Sequence, residues 1–303
     1  MSRTLRASTA RGALRVLLTA VAIAALASPA VFGGQQTEPP SRPESLFPAL
    51  PDQSERTYEV FLQGRKAGWA RETFTRRTGA GGVETATLAS ELLIRAVFTA
   101  RVDLKLRIGP FSGRAPQQYR IEFEQRIRSR AVYDAKGLVS SEFVETEKDE
   151  EIKRVKVVRT PGGFEVTRAD EGLARTVELG PGDFEATSDV LYQRPGLWSK
   201  VGDARLLSVL DLSTGAVIRR SYRVAALEEL EVSGSKVACR VIDAVDPEGS
   251  FRLWVDQSGM EVRGLQKEED VELIIHQADK KKALAFQPPE FDLAPSAKPE
   301  EGI

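Results

Sequence analysis

The stretch Leu230-Glu231-Val232-Ser233-Gly234-Ser235-Lys236-Val237-Ala238-Cys239-Arg240-Val241-Ile242 decides the fold class of this chain. Apolar runs flank Ser233-Gly234 on both sides, and Gly takes at no steric cost the positive φ that a two-residue hairpin demands. Two further turns follow, Asp246-Pro247-Glu248-Gly249 and Asp256-Gln257-Ser258-Gly259, in which Asp opens and Gly closes. Between them Phe251, Leu253 and Val255 alternate with Arg252, Trp254 and Asp256, the period of two of a strand with differently solvated faces. Residues 224–267 therefore read as an antiparallel meander. The same alternation directs Val237, Cys239 and Val241 toward a core and Arg240 toward water.

Upstream the grammar repeats. Tyr58, Val60 and Leu62 share a face, Gly64-Arg65-Lys66 turns the chain, and Gly79-Ala80-Gly81-Gly82 ends the first hairpin as a loop. Val102, Leu104, Leu106 and Ile108 alternate with Asp103, Lys105 and Arg107, and Ile121, Phe123 and Ile127 alternate with Glu122, Glu124, Arg126 and Arg128. Residues 88–97 fit a strand or a helical turn equally. Glycines mark further hairpins at Ala135-Lys136-Gly137, Pro161-Gly162-Gly163 and Asp170-Glu171-Gly172. Ala204 to Leu212 and Ala216 to Val224 flank Ser213-Thr214-Gly215. Residues 184–192 are expected as a short helix capped by Thr187 or Ser188, and Lys280-Lys281-Lys282 as a helical turn. The expected fold is mainly β: an antiparallel meander forming a curved sheet, sandwich or half-barrel, with at most one or two short helices.

The ends of the chain carry a different message. Arg3, Arg6, Arg11 and Arg15 precede an apolar run over residues 16–27 and the small residues Ala25, Ala27, Ser28 and Ala30. This is the pattern of a secretory signal over residues 1–30, too short in its apolar part for the about 20 residues of a membrane span. Residues 31–56, with Pro39, Pro40, Pro43, Pro48 and Pro51, read as a disordered linker. Residues 57–286 read as the β domain, with a break near 180–183 where it could divide, and residues 287–303 as a loose Pro-rich acidic tail. The expected location is periplasmic or secreted, with no integral membrane segment once the signal is cleaved. Without the four signal arginines, 39 basic residues face 44 acidic ones, which argues against nucleic acid as a partner. A single cysteine rules out a disulfide framework within the chain, so stability rests on burial.

Chemistry-bearing residues are sparse. Cys239, His276 and Asp292 stand in the order of a thiol triad, which needs a depressed thiol pKa and a carboxylate to orient the imidazole. Against this, Cys239 alternates with Val237 and Val241 on a strand, where burial raises a thiol pKa. His276 and Cys239 alone do not complete a zinc site. The run Glu145, Glu147, Asp149, Glu150, Glu151 reads as a solvated hairpin tip interleaved with Lys148, Lys153 and Arg154. Trp69, Trp198 and Trp254 read as core or cross-strand residues before ligand-groove residues. No catalytic, cofactor-binding or metal-binding residue is assigned, and no cofactor is expected.

Two segments carry a resemblance: Tyr58-Glu59-Val60-Phe61-Leu62-Gln63-Gly64-Arg65-Lys66-Ala67-Gly68-Trp69, and Leu227-Glu228-Glu229-Leu230-Glu231-Val232-Ser233-Gly234 leading to Leu253-Trp254-Val255-Asp256-Gln257-Ser258-Gly259-Met260-Glu261-Val262. They resemble the β-rich accessory domain found ahead of transglutaminase-like domains in exported bacterial proteins, and related envelope domains of unknown function. The resemblance implies the accessory domain without the catalytic one and carries no site residues. The expected function is an exported, non-catalytic binding or scaffold module of the bacterial envelope, its partner an envelope protein or an apolar ligand. Two alternatives stand beside it: a carrier holding a lipid against a curved sheet, and a divergent thiol hydrolase or acyltransferase built on Cys239, His276 and Asp292.

Overall fold

Sixteen strands and one short helix, α1 (Lys280–Leu284), make up a computed structural model that describes residues 51–79, 82–108, 111–170, 173–188, 198–247, 249–268 and 271–293. In chain order the strands are β1 (Gln53–Leu62), β2 (Arg65–Thr78), β3 (Glu84–Ile108), β4 (Phe111–Asp134), β5 (Gly137–Glu147), β6 (Glu150–Thr160), β7 (Gly163–Asp170) and β8 (Leu173–Leu179). The second half holds β9 (Ala186–Thr187), β10 (Ala204–Asp211), β11 (Ala216–Val232), β12 (Ser235–Asp246), β13 (Gly249–Val255), β14 (Glu261–Glu268), β15 (Val271–Ala278) and β16 (Glu290–Leu293). They form one sheet in the order β8-β7-β6-β5-β4-β3-β2-β1-β15-β14-β13-β12-β11-β10-β9, with β16 beside β3. Neighbours on this path are antiparallel except β9 and β10. The two ends of the path do not pair, so the sheet is not closed, and the mainly β antiparallel meander expected from the alternation is what the chain adopts, as a curved sheet.

Curvature brings the two ends of the sheet face to face. Register slips at Val60/Phe61, Val132/Tyr133, Glu145/Thr146, Val224/Ala226 and Trp254/Val255 bend the strands. One apolar cluster then runs from Tyr58, Val60 and Leu62 through Phe143, Val155 and Val166 to Leu210, Trp198 and Tyr222. Gly215, in the turn between β10 and β11, is the tightest point of this closure. It has φ +63, and a Cβ there would lie 2.6 Å from Val166 Cγ1 and 2.9 Å from Val155 Cγ1. Arg168 Nη2 donates to its carbonyl at 2.7 Å. Only glycine combines that backbone conformation with that approach.

Several boundaries differ from expectation. The first strand starts at Gln53, inside the expected linker, because its early residues pair with β2, as in Gln53 with Thr75. The first turn sits on Gln63-Gly64 rather than Gly64-Arg65-Lys66, with φ 49 and 73. Residues 88–97 are strand, since Gly68 to Phe74 pair with them on one side and β4 on the other. Where a helix was expected, Ala186–Thr187 instead pair in parallel with Val209 and Leu210, while residues 189–197 lie outside the described residues. Residues 290–293, expected in a loose tail, form β16. Its register is Glu290 to Leu293 against Val97 to Ala100, and Phe291 stacks on Phe98 at 5.5 Å. The expected signal over residues 1–30 and the tail beyond Leu293 lie outside the described residues.

The β3–β4 hairpin is the other departure from a plain meander. Its pairing runs from Thr85 with Asp134 to Ile108 with Phe111. On β3, β2 pairs no further than Ile94, and on β4, β5 begins only at Gln125. Residues 95–124 thus continue as a two-stranded ribbon, flanked at its base by β16. At about 3.3 Å per residue the ribbon reaches roughly 45 Å past its neighbours.

Candidate functional site

The residues of the thiol alternative are spread over the sheet. Cys239 lies on β12, His276 on β15 with β13 and β14 between them, and Asp292 on β16 beside Thr99. Cys239 is buried among Val232, Val241, Trp254 and Val262, a second apolar cluster separate from the main one. Burial pushes its thiol up to about 11, away from a nucleophilic thiolate. His276 sits opposite Glu59 and Arg263, and burial together with the Arg263 charge lowers its pKa. The geometry brings none of the three together.

The same region corrects the expected orientation of Arg240. Ile242 and Ala244 belong to the main cluster, whereas Cys239 and Val241 belong to the second, so adjacent residues of β12 are buried on opposite faces. Arg240 shares the parity of Ile242 and therefore points to the main interior, where its guanidinium donates to the carbonyls of Trp198 (3.3 Å) and Asp256 (2.6 Å). Burial lowers its pKa. On the neighbouring β11 the slip between Val224 and Ala226 marks a change of face, with Tyr222 and Val224 in the main cluster and Leu230 and Val232 in the second. Trp254 closes the second cluster: its Nε1 donates to Glu228 at 2.7 Å, and Arg263 lies 4.8 Å over its ring.

Ionisable groups do converge inside the curved sheet. The Tyr58 hydroxyl donates to Glu72 Oε2 at 2.7 Å and lies 3.0 Å from the Glu261 carbonyl. Glu261 is itself buried, its Oε1 has no hydrogen-bond partner among the described residues, and its carboxyl folds over Gly264, where a Cβ would meet Oε1 at 2.1 Å. Burial, aided by the Glu72 charge, holds the Glu261 carboxyl well above the usual range and so favours its protonated form. Arg56 does not neutralise that side chain. It is bound to Asp256 Oδ2 at 2.5 Å and donates to the Glu261 backbone carbonyl.

A second knot uses the same construction. Asp211 Oδ1 accepts from the Ser213 N–H (2.8 Å), the Ser213 hydroxyl (2.6 Å) and the Thr214 N–H (3.0 Å), while Oδ2 accepts from Arg220 at 2.9 Å. Asp256 mirrors it, its Oδ1 accepting from the Ser258 N–H, the Ser258 hydroxyl and the Met260 N–H. In both, an aspartate fixes a turn with one oxygen and anchors a strand arginine with the other. Near the β5–β6 turn Glu145 departs from its solvated expectation: it is buried and accepts from Gln125 Nε2 at 2.5 Å, and burial raises its pKa. Residues 148–151 are the exposed tip. These groups set conformation; none of them is arranged as a nucleophile beside a base.

The candidate site on the surface lies at the base of the ribbon. There a cleft of about 440 Å³ opens between β3, β4, the β5–β6 turn and the segment leading into β16. Its charged lining is Arg95, Arg120, Lys148, Glu122, Glu124 and Glu290. Arg95 pairs with Glu124 at 2.8 Å, and Arg120 with Glu122 at 2.9 Å and Glu290 at 3.4 Å. Ala96, Val97, Phe123 and Pro288 supply its apolar lining. These pairs are partly exposed, so the cleft presents both signs of charge to solvent over its apolar lining. Sequence reading missed this cleft, because its walls come from positions far apart in the chain. The Pro288-Pro289 pair before Phe291 was the available signal, since it favours an extended segment able to lie along a strand.

Among the described residues, no helix is long and apolar enough to cross a membrane, and no group of three or more His, Cys, Asp or Glu side chains is placed to hold a metal ion. No family model matches the sequence, and no curated protein matches it. Among solved structures, the chain is similar to a β-barrel-like protein of the domain-of-unknown-function family DUF1849 from Brucella abortus. The TM-score is 0.46 at 11% identity, over 74% of this chain and 94% of the other.

Proposed function

We propose that the chain is an exported, non-catalytic binding or scaffold module of the bacterial envelope. The observation that carries this reading is the division of its chemistry. The buried ionisable groups are engaged in turns and strand anchors, or, at Glu261, held where burial favours the neutral carboxyl, while the open charged cleft of about 440 Å³ at the ribbon base faces outward. Interior contacts across Val155, Val166 and Gly215 favour a scaffold over a lipid carrier, which needs a hollow between those faces. Export is supported by the basic and then apolar residues 1–30, and the envelope setting by the resemblance of residues 58–69 and 227–262 to accessory domains.

The test places a photo-cross-linking residue at Lys148 in the full chain expressed in its bacterial host. The expected outcome is a chain shortened near residue 30, in the periplasmic fraction, joined to a discrete envelope protein. Retention in the cytoplasm, or a hydrolase or acyltransferase activity abolished by Cys239→Ser, would overturn the reading.

A further inference from the structure

The end of the sheet at β8 has a charge pattern that its own fold leaves unanswered. Among the described residues β8 pairs with β7 alone and is the last strand of the path. Its register with β7 runs without a slip from Phe164 opposite Leu179 to Asp170 opposite Leu173. Two of the facing pairs are like-charged, Glu165 with Glu178 and Arg168 with Arg175. Directly opposed like charges destabilise a sheet. Among the described residues, Glu165, Glu178 and Arg175 have no ion pair or side-chain hydrogen bond, and Arg168 spends its guanidinium on the Gly215 carbonyl.

The two pairs lie on opposite faces, so an added strand would meet an arginine row on one face and a glutamate row on the other. On the face of Arg175, Leu173 and Val177 flank it and are 67% and 48% exposed. β8 carries neither the proline nor the bulge that blocks pairing at many sheet edges, and its two charges, Arg175 and Glu178, restrict which strand could add to it.

We propose that β8 is a docking edge for an extended peptide strand of stated pattern. Added antiparallel, the peptide places an acidic residue opposite Arg175, a basic residue opposite Glu178, and apolar residues opposite Leu173 and Val177. This rests on the binding-module reading and deepens it. A second copy of the chain fits less well: Arg175 and Glu178 are three residues apart and point to opposite faces, so no two-fold pairing of β8 with itself sets one against the other. A peptide strand is not so constrained, and main-chain hydrogen bonds supply affinity while alternate side chains supply choice.

The experiment titrates the full chain into fluorescein-labelled VKVTETV, which carries the pattern, and VEVTKTV, which reverses its charges, with anisotropy as the readout. VKVTETV binds saturably and VEVTKTV at least about tenfold more weakly, the summed effect of two reversed cross-strand pairs. The protein variant Arg175→Glu/Glu178→Lys inverts the preference. Absence of saturable binding, equal affinity for both peptides, or a dimer by light scattering that the double variant abolishes would each overturn the proposal. The peptide pair decides it on the unmodified chain should the variant misfold. The module reading stands or falls separately on cross-linking at Lys148, which samples the cleft and not β8.

Discussion

Glu261 is the residue at which environment most changes chemistry. A solvated glutamate is ionised at neutral pH, but here burial and the Glu72 charge raise the folded-state pKa above its unfolded value. Stability from this group is therefore fully present below the unfolded pKa and declines as pH rises toward the folded one. Glu261→Gln removes that dependence. The expected outcome is a denaturant midpoint higher than that of the unmodified chain at pH 8, with the difference vanishing near pH 4, measured by urea unfolding at both values. A difference independent of pH would show that Glu261 is ionised in the folded chain.

Arg240 and Val241 test the two-faced character of β12 at the same scale. Val241→Asp puts a carboxylate into the second apolar cluster and is expected to cost several kcal/mol. Arg240→Asp withdraws the donors of the Trp198 and Asp256 carbonyls and brings a carboxylate toward Asp256, at a cost of about 2 kcal/mol. Both variants should lower the melting midpoint in circular dichroism. A neutral Arg240→Asp would return Arg240 to solvent. Alternation in the sequence distinguishes the two faces of this strand, but not which face meets the larger core, because that depends on which elements distant in the chain the curled sheet brings against it.

Among the elements, β16 shows how a tail becomes structure. The Val97 N–H donates to the Pro289 carbonyl, Phe291 stacks on Phe98, and Arg65 both lies over the Phe291 ring and donates to the Glu290 carbonyl. Phe291→Ala removes the stack and the arginine's platform. It is expected to cost about 3 kcal/mol at this buried site and to speed amide exchange at residues 97–100 above the rest of β3. Unchanged exchange there would mean that β16 adds no protection. By contrast the helical turn expected at Lys280-Lys281-Lys282 forms as α1, and the structure adds its N-cap, Asp279, which accepts from the Lys281 and Lys282 N–H groups.

At the scale of the whole molecule, the contact that matters is the one between the two ends of the sheet. Gly215 meets Val166 and Val155 there, with Arg168 as the polar tie. Gly215→Ala adds a methyl group where there is no room and where φ is unfavourable, so it should destabilise by more than about 1 kcal/mol. Far-ultraviolet and aromatic signals should shift together in its thermal melt, since β6, β7, β10 and β11 share one core. If the aromatic transition alone moved, the two ends of the sheet would be independent.

The sequence by itself determined the β character, most hairpin turns and the burial of Cys239, because period-two alternation and turn chemistry are local and each is written within a few residues. It could not determine how the meander curls, which of two apolar faces Arg240 meets, that Glu145 and Glu261 are buried, or that residues 290–293 lie along β3. Those follow from contacts between positions up to about two hundred residues apart, as in Tyr58 with Glu261, and the local pattern is the same whether such contacts form or not. Only the tertiary structure, by curling the sheet until its two unpaired ends pack face to face, decided them.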